Sequence, residues 1–237
     1  MPPTSPALAG THGAPTHEEP SPSLRATGGT AVAAGLAGLV AACGGKDKPK
    51  AAENDGPTAK EVFGQGAGGD VDIANYALAL EYLEATFYAE LVESGKIKDA
   101  ATLGLIKSIG RTERKHVDAL TATVKELGGT PVKRARTAFG PVMERGTEKI
   151  LAVAATVENV GAAAYLGQVD KIKSTKLLAA ALAIHSVEAR HAAALNQLAG
   201  RDFKGAGILD GTIPDGAFAV SLSTEEVFAQ IKPFLAR

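Results

Sequence analysis

The chain has no tryptophan and a single cysteine, Cys43, among its 237 residues. One unpaired cysteine excludes an internal disulfide framework, so the fold has to rest on packing. Aromatic residues make up only 5% of the chain, and no stretch alternates Val, Ile, Thr and aromatics over several positions. The usual signature of a half-buried sheet is therefore missing. An excess of charge is missing too: 25 Lys and Arg face 26 Asp and Glu. That leaves no bulk electrostatic pull toward nucleic acid, and no nucleic-acid partner is expected. What the chain does have is alanine, the best helix former, whose small side chain lets helices approach closely. Composition favours an all-α protein.

The first fifty residues read as an address. Residues 1–24 are rich in Pro, Ser, Thr, Gly and Ala and carry no hydrophobic periodicity. Such a segment cannot bury enough apolar surface to fold. Arg25 then precedes an apolar stretch, ATGGTAVAAGLAGLVAA, over residues 26–42. Its length suits a signal-peptide core with flanks and is short for a membrane span. It runs directly into Cys43-Gly44, and the small residues before the cysteine resemble a bacterial lipobox, in which the cysteine is lipidated and becomes the new N-terminus. A buried helix with an incidental cysteine fits worse. Gly28, Gly29, Gly35 and Gly38 would each cost such a helix roughly 0.5–1 kcal/mol relative to alanine. No Arg-Arg pair supports twin-arginine export. The expectation is a leader over residues 1–42, lipidation at Cys43 and a flexible polar tether over 43–67. The protein would be exported and anchored to the outer face of the cytoplasmic membrane; stable anchoring takes more than one acyl chain, which a lipidated cysteine provides. Removing Arg25, Glu18 and Glu19 with the leader leaves the remainder neutral.

From Asp72 the pattern becomes helical. Ile73, Tyr76, Ala77, Leu80, Leu83, Phe87, Tyr88 and Leu91 recur at helical spacing up to Gly95. Asp70 and Asp72 stand at the start, where carboxylates favour a helix N-terminus. A second periodic run spans residues 99–127 and stops at Gly128-Gly129. A third covers 147–167 and a fourth 174–199, ending at Gly200. Ser223 and Glu226 fit a capping box for a short C-terminal helix. Short turns join the first helix to the second and the third to the fourth, while roughly twenty residues separate the second from the third. This is an up-down four-helix bundle with one long crossover. Lys133, Arg134 and Arg136 in that crossover read most simply as a solvated loop.

An internal repeat then singles out the chemistry. The first helix has Glu81 and, seven residues on, Tyr88; the third has Glu158 and Tyr165. The second helix contains Glu113-Arg-Lys-His116 and the fourth Glu188-Ala-Arg-His191. One Glu from each of two helices and a Glu-x-x-His from each of the other two is the ligand pattern of di-iron and di-manganese carboxylate bundles. Residues i and i+3 share a helix face, so each Glu-x-x-His aims both groups inward. Four carboxylates offset the charge of two divalent ions, and this oxygen and imidazole donor set suits iron or manganese. Without metal they would be costly to bury. The candidate metal ligands are Glu81, Glu113, His116, Glu158, Glu188 and His191. Glu84 competes with Glu81, whose seven-residue match to Tyr88 favours it. Tyr88 and Tyr165 either hydrogen-bond a ligand or take part in electron transfer, or are simply packed core residues. His185, three residues before Glu188, is a partly exposed or core histidine unless it supports that carboxylate.

The run DIANYALALEYLEATFYAEL over residues 72–91, with EARHAAAL over 188–195, resembles bacterial ferritin-like domain proteins related to plant desiccation-related proteins. More distantly it is similar to rubrerythrins, bacterioferritins and manganese catalases. The resemblance covers residues 68–200 and, more loosely, the C-terminal extension over 201–237. It implies a ferritin-like bundle whose six matching residues bind two iron or manganese ions, with oxygen or hydrogen peroxide as reactants and oligomers as a further expectation. No Cys-x-x-Cys pair exists, so the rubredoxin-type iron centre of rubrerythrins is absent. The implied function is ferroxidase- or peroxide-type redox chemistry in the cell envelope. The alternative is a metal-binding or structural lipoprotein that protects against stress or desiccation without turnover.

Overall fold

The computed structural model describes residues 56–64 and 69–236, all within the unit Gly35–Arg237. The leader, Cys43 and most of the tether lie outside the described residues. Seven α-helices occur among those described: α1 (Ala59–Phe63), α2 (Asp70–Glu93), α3 (Ala100–Glu126), α4 (Gly140–Met143), α5 (Thr147–Leu166), α6 (Thr175–Leu198) and α7 (Thr224–Ile231). No strand is found among them, only an isolated bridge between Thr137 and Leu235. The four long helices α2, α3, α5 and α6 each fall within two residues of their expected bounds. α2 packs along α3 and α5 along α6, as the short turns require, and α2 also meets α5.

The ends follow local chemistry. Asp99 caps α3 by accepting from the Thr102 backbone N–H at 2.7 Å, and Ser174 caps α6 through the N–H of Leu177. Ser223 and Glu226 form the expected capping box of α7. Asp70 does more than favour the α2 terminus. Its two carboxylate oxygens accept from the backbone N–H groups of Lys173 and Ser174 at 2.8 and 2.7 Å, tying the start of α2 to the turn before α6.

α5 is the central helix. Every residue from Val153 to Tyr165 is buried. By length and composition alone it is apolar enough to cross a membrane, yet 83% of that window is buried inside the protein. A helix apolar all round is what a core position demands.

Two segments differ from the sequence reading. Residues 58–64 belong to the folded body rather than to a flexible tether. Thr58 and Glu61 form a reciprocal capping box, Val62 and Phe63 are buried, and the Phe63 ring lies 4.7 Å from that of Tyr76. The crossover is also more than a solvated loop. Asn75 on α2 pins it by donating to the Thr130 carbonyl at 3.0 Å and accepting from the Val132 N–H at 2.7 Å. Arg134 stacks its guanidinium 4.9 Å from the centre of the Tyr82 ring. Further on, Phe139 is fully buried between Phe87 and Phe234. The C-terminal extension carries the expected short helix and closes the core with Leu209, Leu222, Val227, Ile231 and Phe234.

Candidate metal centre

The apolar stripes of α2, α3, α5 and α6 converge on a group of charged side chains that would be destabilising without compensation. Glu81, Glu113, Glu158 and Glu188 are each fully buried; His116 is 8% exposed and His191 somewhat more. They form two clusters in which one ligand atom from each residue lies within 4.8 Å of the others. The first contains Glu81, Glu113, His116 and Glu188; the second contains Glu113, Glu158, Glu188 and His191. All six residues singled out from the repeat are therefore brought together, with Glu113 and Glu188 common to both clusters.

The contacts show a cluster that could hold a metal ion. His116 Nδ1 lies 2.9 Å from Glu113, 3.0 Å from Glu188 and 3.3 Å from Glu81. His191 Nδ1 lies 3.0 Å from Glu113, 3.3 Å from Glu158 and 3.7 Å from Glu188. A ring nitrogen carries one proton at most and cannot serve three carboxylates at once. Accordingly Glu81 Oε2, Glu158 Oε2, both Glu188 oxygens and His191 Nδ1 are buried without a satisfactory hydrogen bond. Buried polar groups are ordinarily satisfied, and each such exception calls for a cause.

Electrostatics tell the same story. Burial pushes the Glu81 carboxyl up to about 7, against the lowering effect of His116. Burial, reinforced by Glu81 and Glu158, holds Glu188 well above the usual carboxylate range. Burial alone would discharge His116, but the three carboxylates crowded around it, Glu113, Glu188 and Glu81, outweigh that and push it up to about 12. His191 is likewise pushed up to about 12, by Glu113, Glu158 and Glu188 against the effect of burial. For Glu113 the two histidines prevail over burial and lower the carboxyl. Without metal, the site is held together by protons that any metal ion would have to displace.

The tyrosines cross the bundle. The Tyr88 hydroxyl on α2 donates to Glu158 on α5, and the Tyr165 hydroxyl on α5 donates to Glu81 on α2 at 2.6 Å. Each tyrosine thus orients the candidate ligand of the other half rather than that of its own helix. Both hydroxyls are held well above their usual pKa, first by burial and then by the facing carboxylate. Glu84 is buried but belongs to neither cluster, which leaves Glu81 as the α2 member. His185 stands apart as well: its Nδ1–H donates to the Ala162 carbonyl at 3.0 Å. Gly161, which faces Glu84 on α5, had no signal in the sequence beyond its glycine.

Fold and cluster together define a class: a four-helix bundle enclosing a carboxylate and imidazole cluster able to hold metal. More particularly, the chain belongs to the ferritin-like domain family, whose pattern matches residues 69–201. No curated protein matches the sequence.

Proposed function

We propose that this protein carries a dinuclear iron or manganese centre that reacts with oxygen or hydrogen peroxide, in a domain exported and anchored at the membrane through Cys43. The observation that supports this most is the pair of four-residue clusters sharing Glu113 and Glu188. The donor set fits the metals: hard carboxylate oxygens and imidazole, with no thiolate. Glu81, Glu113, His116 and Glu188 would hold one ion, and Glu113, Glu158, Glu188 and His191 the other. When bound, such a pair supplies one- and two-electron redox chemistry at a site from which bulk water is excluded.

The chain's own groups prepare that chemistry. Tyr88 and Tyr165 fix the orientation of Glu158 and Glu81. α5 seals one side of the site with residues buried from Val153 to Tyr165. The histidines are the least buried members, so ions reach the cluster from the α3 and α6 side.

Elemental analysis of the chain reconstituted anaerobically with Fe(II) or Mn(II) tests the reading. About two ions per chain are expected, as in other carboxylate bundles, with none in a Glu113→Ala/Glu188→Ala variant. Absence of stoichiometric metal from the intact chain overturns the reading. Metal without turnover of Fe(II) or peroxide leaves a non-enzymatic, metal-binding protein. Anchoring is tested by mass spectrometry of the mature N-terminus, where an acylated Cys43 is expected and an unprocessed chain overturns it.

A further inference from the structure

Away from the metal cluster, separate pieces of chain surround a second hollow. α1, the first turns of α2, the turn Val169–Lys171 after α5 and the start of α7 border an open groove of about 560 Å³. Sites for small organic molecules fall in this size range, and they combine an apolar wall with a few converging polar groups. Both features are present. Ala59, Phe63 and Ile73 supply the wall, with the rings of Phe63 and Tyr76 packed 4.7 Å apart. Lys60, Lys171 and Lys173 bring ammonium groups to the groove against a lone lining carboxylate, Asp72. None of the clustered metal-site residues borders it.

Tyr76 is the member that packing does not explain. It is 6% exposed, and its hydroxyl has no hydrogen-bond partner. A buried tyrosine hydroxyl usually finds one, and a phenylalanine would fill the same space without the cost. Burial, with Glu225 on α7 adding to it, holds the hydroxyl in its protonated form. It is a donor in want of an acceptor, beside a groove whose charge favours an anion. We propose that this groove is a binding site for a small aromatic carboxylate. The ligand's ring lies against Phe63 and Ile73, where a pair of aromatic rings gains more than its buried area alone. Its carboxylate is held by the lysines and accepts from the Tyr76 hydroxyl. The assignment gives α1 a role, since that helix supplies Ala59, Lys60 and Phe63. It stands whether or not the bundle holds metal.

Calorimetric titration of the purified full-length protein with naphthoate tests this. Saturable binding at a single site is expected. Naphthol, which has the ring without the charge, should bind roughly ten- to a hundredfold more weakly, the loss of a charged hydrogen bond. Octanoate, which has the charge without the ring, should also bind more weakly. Tyr76→Phe should weaken naphthoate binding by roughly tenfold. Its melting temperature without ligand should be no lower than that of the wild type, because the hydroxyl bonds to nothing there. Ala59→Trp, which fills the groove, should abolish binding and provides a second route should Tyr76→Phe fold poorly. Absence of naphthoate binding to the intact protein overturns the proposal, as does binding that survives Ala59→Trp. Naphthol as tight as naphthoate overturns the anionic class, and octanoate as tight as naphthoate overturns the aromatic one. Tyr76→Phe that binds like the wild type, or that melts well below it without ligand, overturns the part given to the hydroxyl.

Discussion

In the first half of the repeat, α3 is amphipathic: Ile106, Ile109, Glu113, His116, Val117, Leu120 and Val124 face inward, while Lys107, Arg111, Arg114 and Asp118 face solvent. In the second half, α5 has no solvent face along its central thirteen positions, from Val153 to Tyr165. The other two helices repeat this contrast: α2 has no exposed residue from Ala74 to Tyr88, while α6, like α3, turns an exposed face with Lys176, Leu182, Ser186 and Arg190 to solvent. The difference teaches that each half takes its Glu and Tyr from a buried helix and its Glu-x-x-His from an amphipathic one, so burial is repeated along with the side-chain pattern.

The comparison breaks most visibly at the ligands. Glu113→Ala or Glu188→Ala should abolish binding of both ions, because each residue belongs to both clusters. Glu81→Ala or Glu158→Ala should remove one ion and leave the other. Metal analysis of the four variants decides it; loss of both ions from Glu81→Ala would show that the halves do not act separately.

The tyrosines sharpen the comparison. Tyr88→Phe should weaken the position that uses Glu158, and Tyr165→Phe the one that uses Glu81, each by about ten- to a hundredfold. Each also leaves a buried carboxylate oxygen short of a donor, at about 1–3 kcal/mol. Metal titration and chemical unfolding read both effects. If Tyr88→Phe weakened the Glu81 position instead, the crossed arrangement would be wrong.

A smaller effect is expected from pH. Burial raises Glu81 from 4.5 to about 7, and the surrounding carboxylates raise His116 and His191 from 6.5 to about 12 despite burial. At each of these groups the folded, metal-free chain binds protons more tightly than the unfolded one. The histidine contribution is complete below 6.5 and is lost as pH rises toward 12, and Glu81 becomes a liability between 4.5 and 7. Glu113, which is lowered, acts in the opposite direction only at more acid pH. The metal-free protein should therefore melt at a lower temperature at about pH 8 than at about pH 5. The metal-loaded protein should do the reverse, since protons compete with metal for the same atoms. Melting curves with and without chelator check the sign.

The smallest effect lies outside the repeat. Thr58→Ala removes the α1 cap and should cost about 0.5–2 kcal/mol. No change in chemical denaturation would return residues 58–64 to the tether.

Much of this was legible in the sequence. Helical periodicity, end signals such as Asp99, Ser174 and Gly128, and the repeated Glu-x-x-His act over a few residues, and a few residues are enough to read them. Residues 58–61 also carried a capping-box pattern, obscured by the polar stretch before it. Other features were not legible because they depend on contacts between distant segments. Arg134 looks like a solvated charge until Tyr82 is placed beneath it. Phe139 looks like a loop residue until Phe87 and Phe234 enclose it.

By itself, then, the sequence determined the four long helices and the six clustered side chains, because both are set by spacing along one helix face. Only the tertiary structure decided that Tyr88 serves Glu158 and Tyr165 serves Glu81, and that Glu84 faces Gly161. Those partners lie 70, 84 and 77 positions apart, and nothing local can register an antiparallel pairing over such distances.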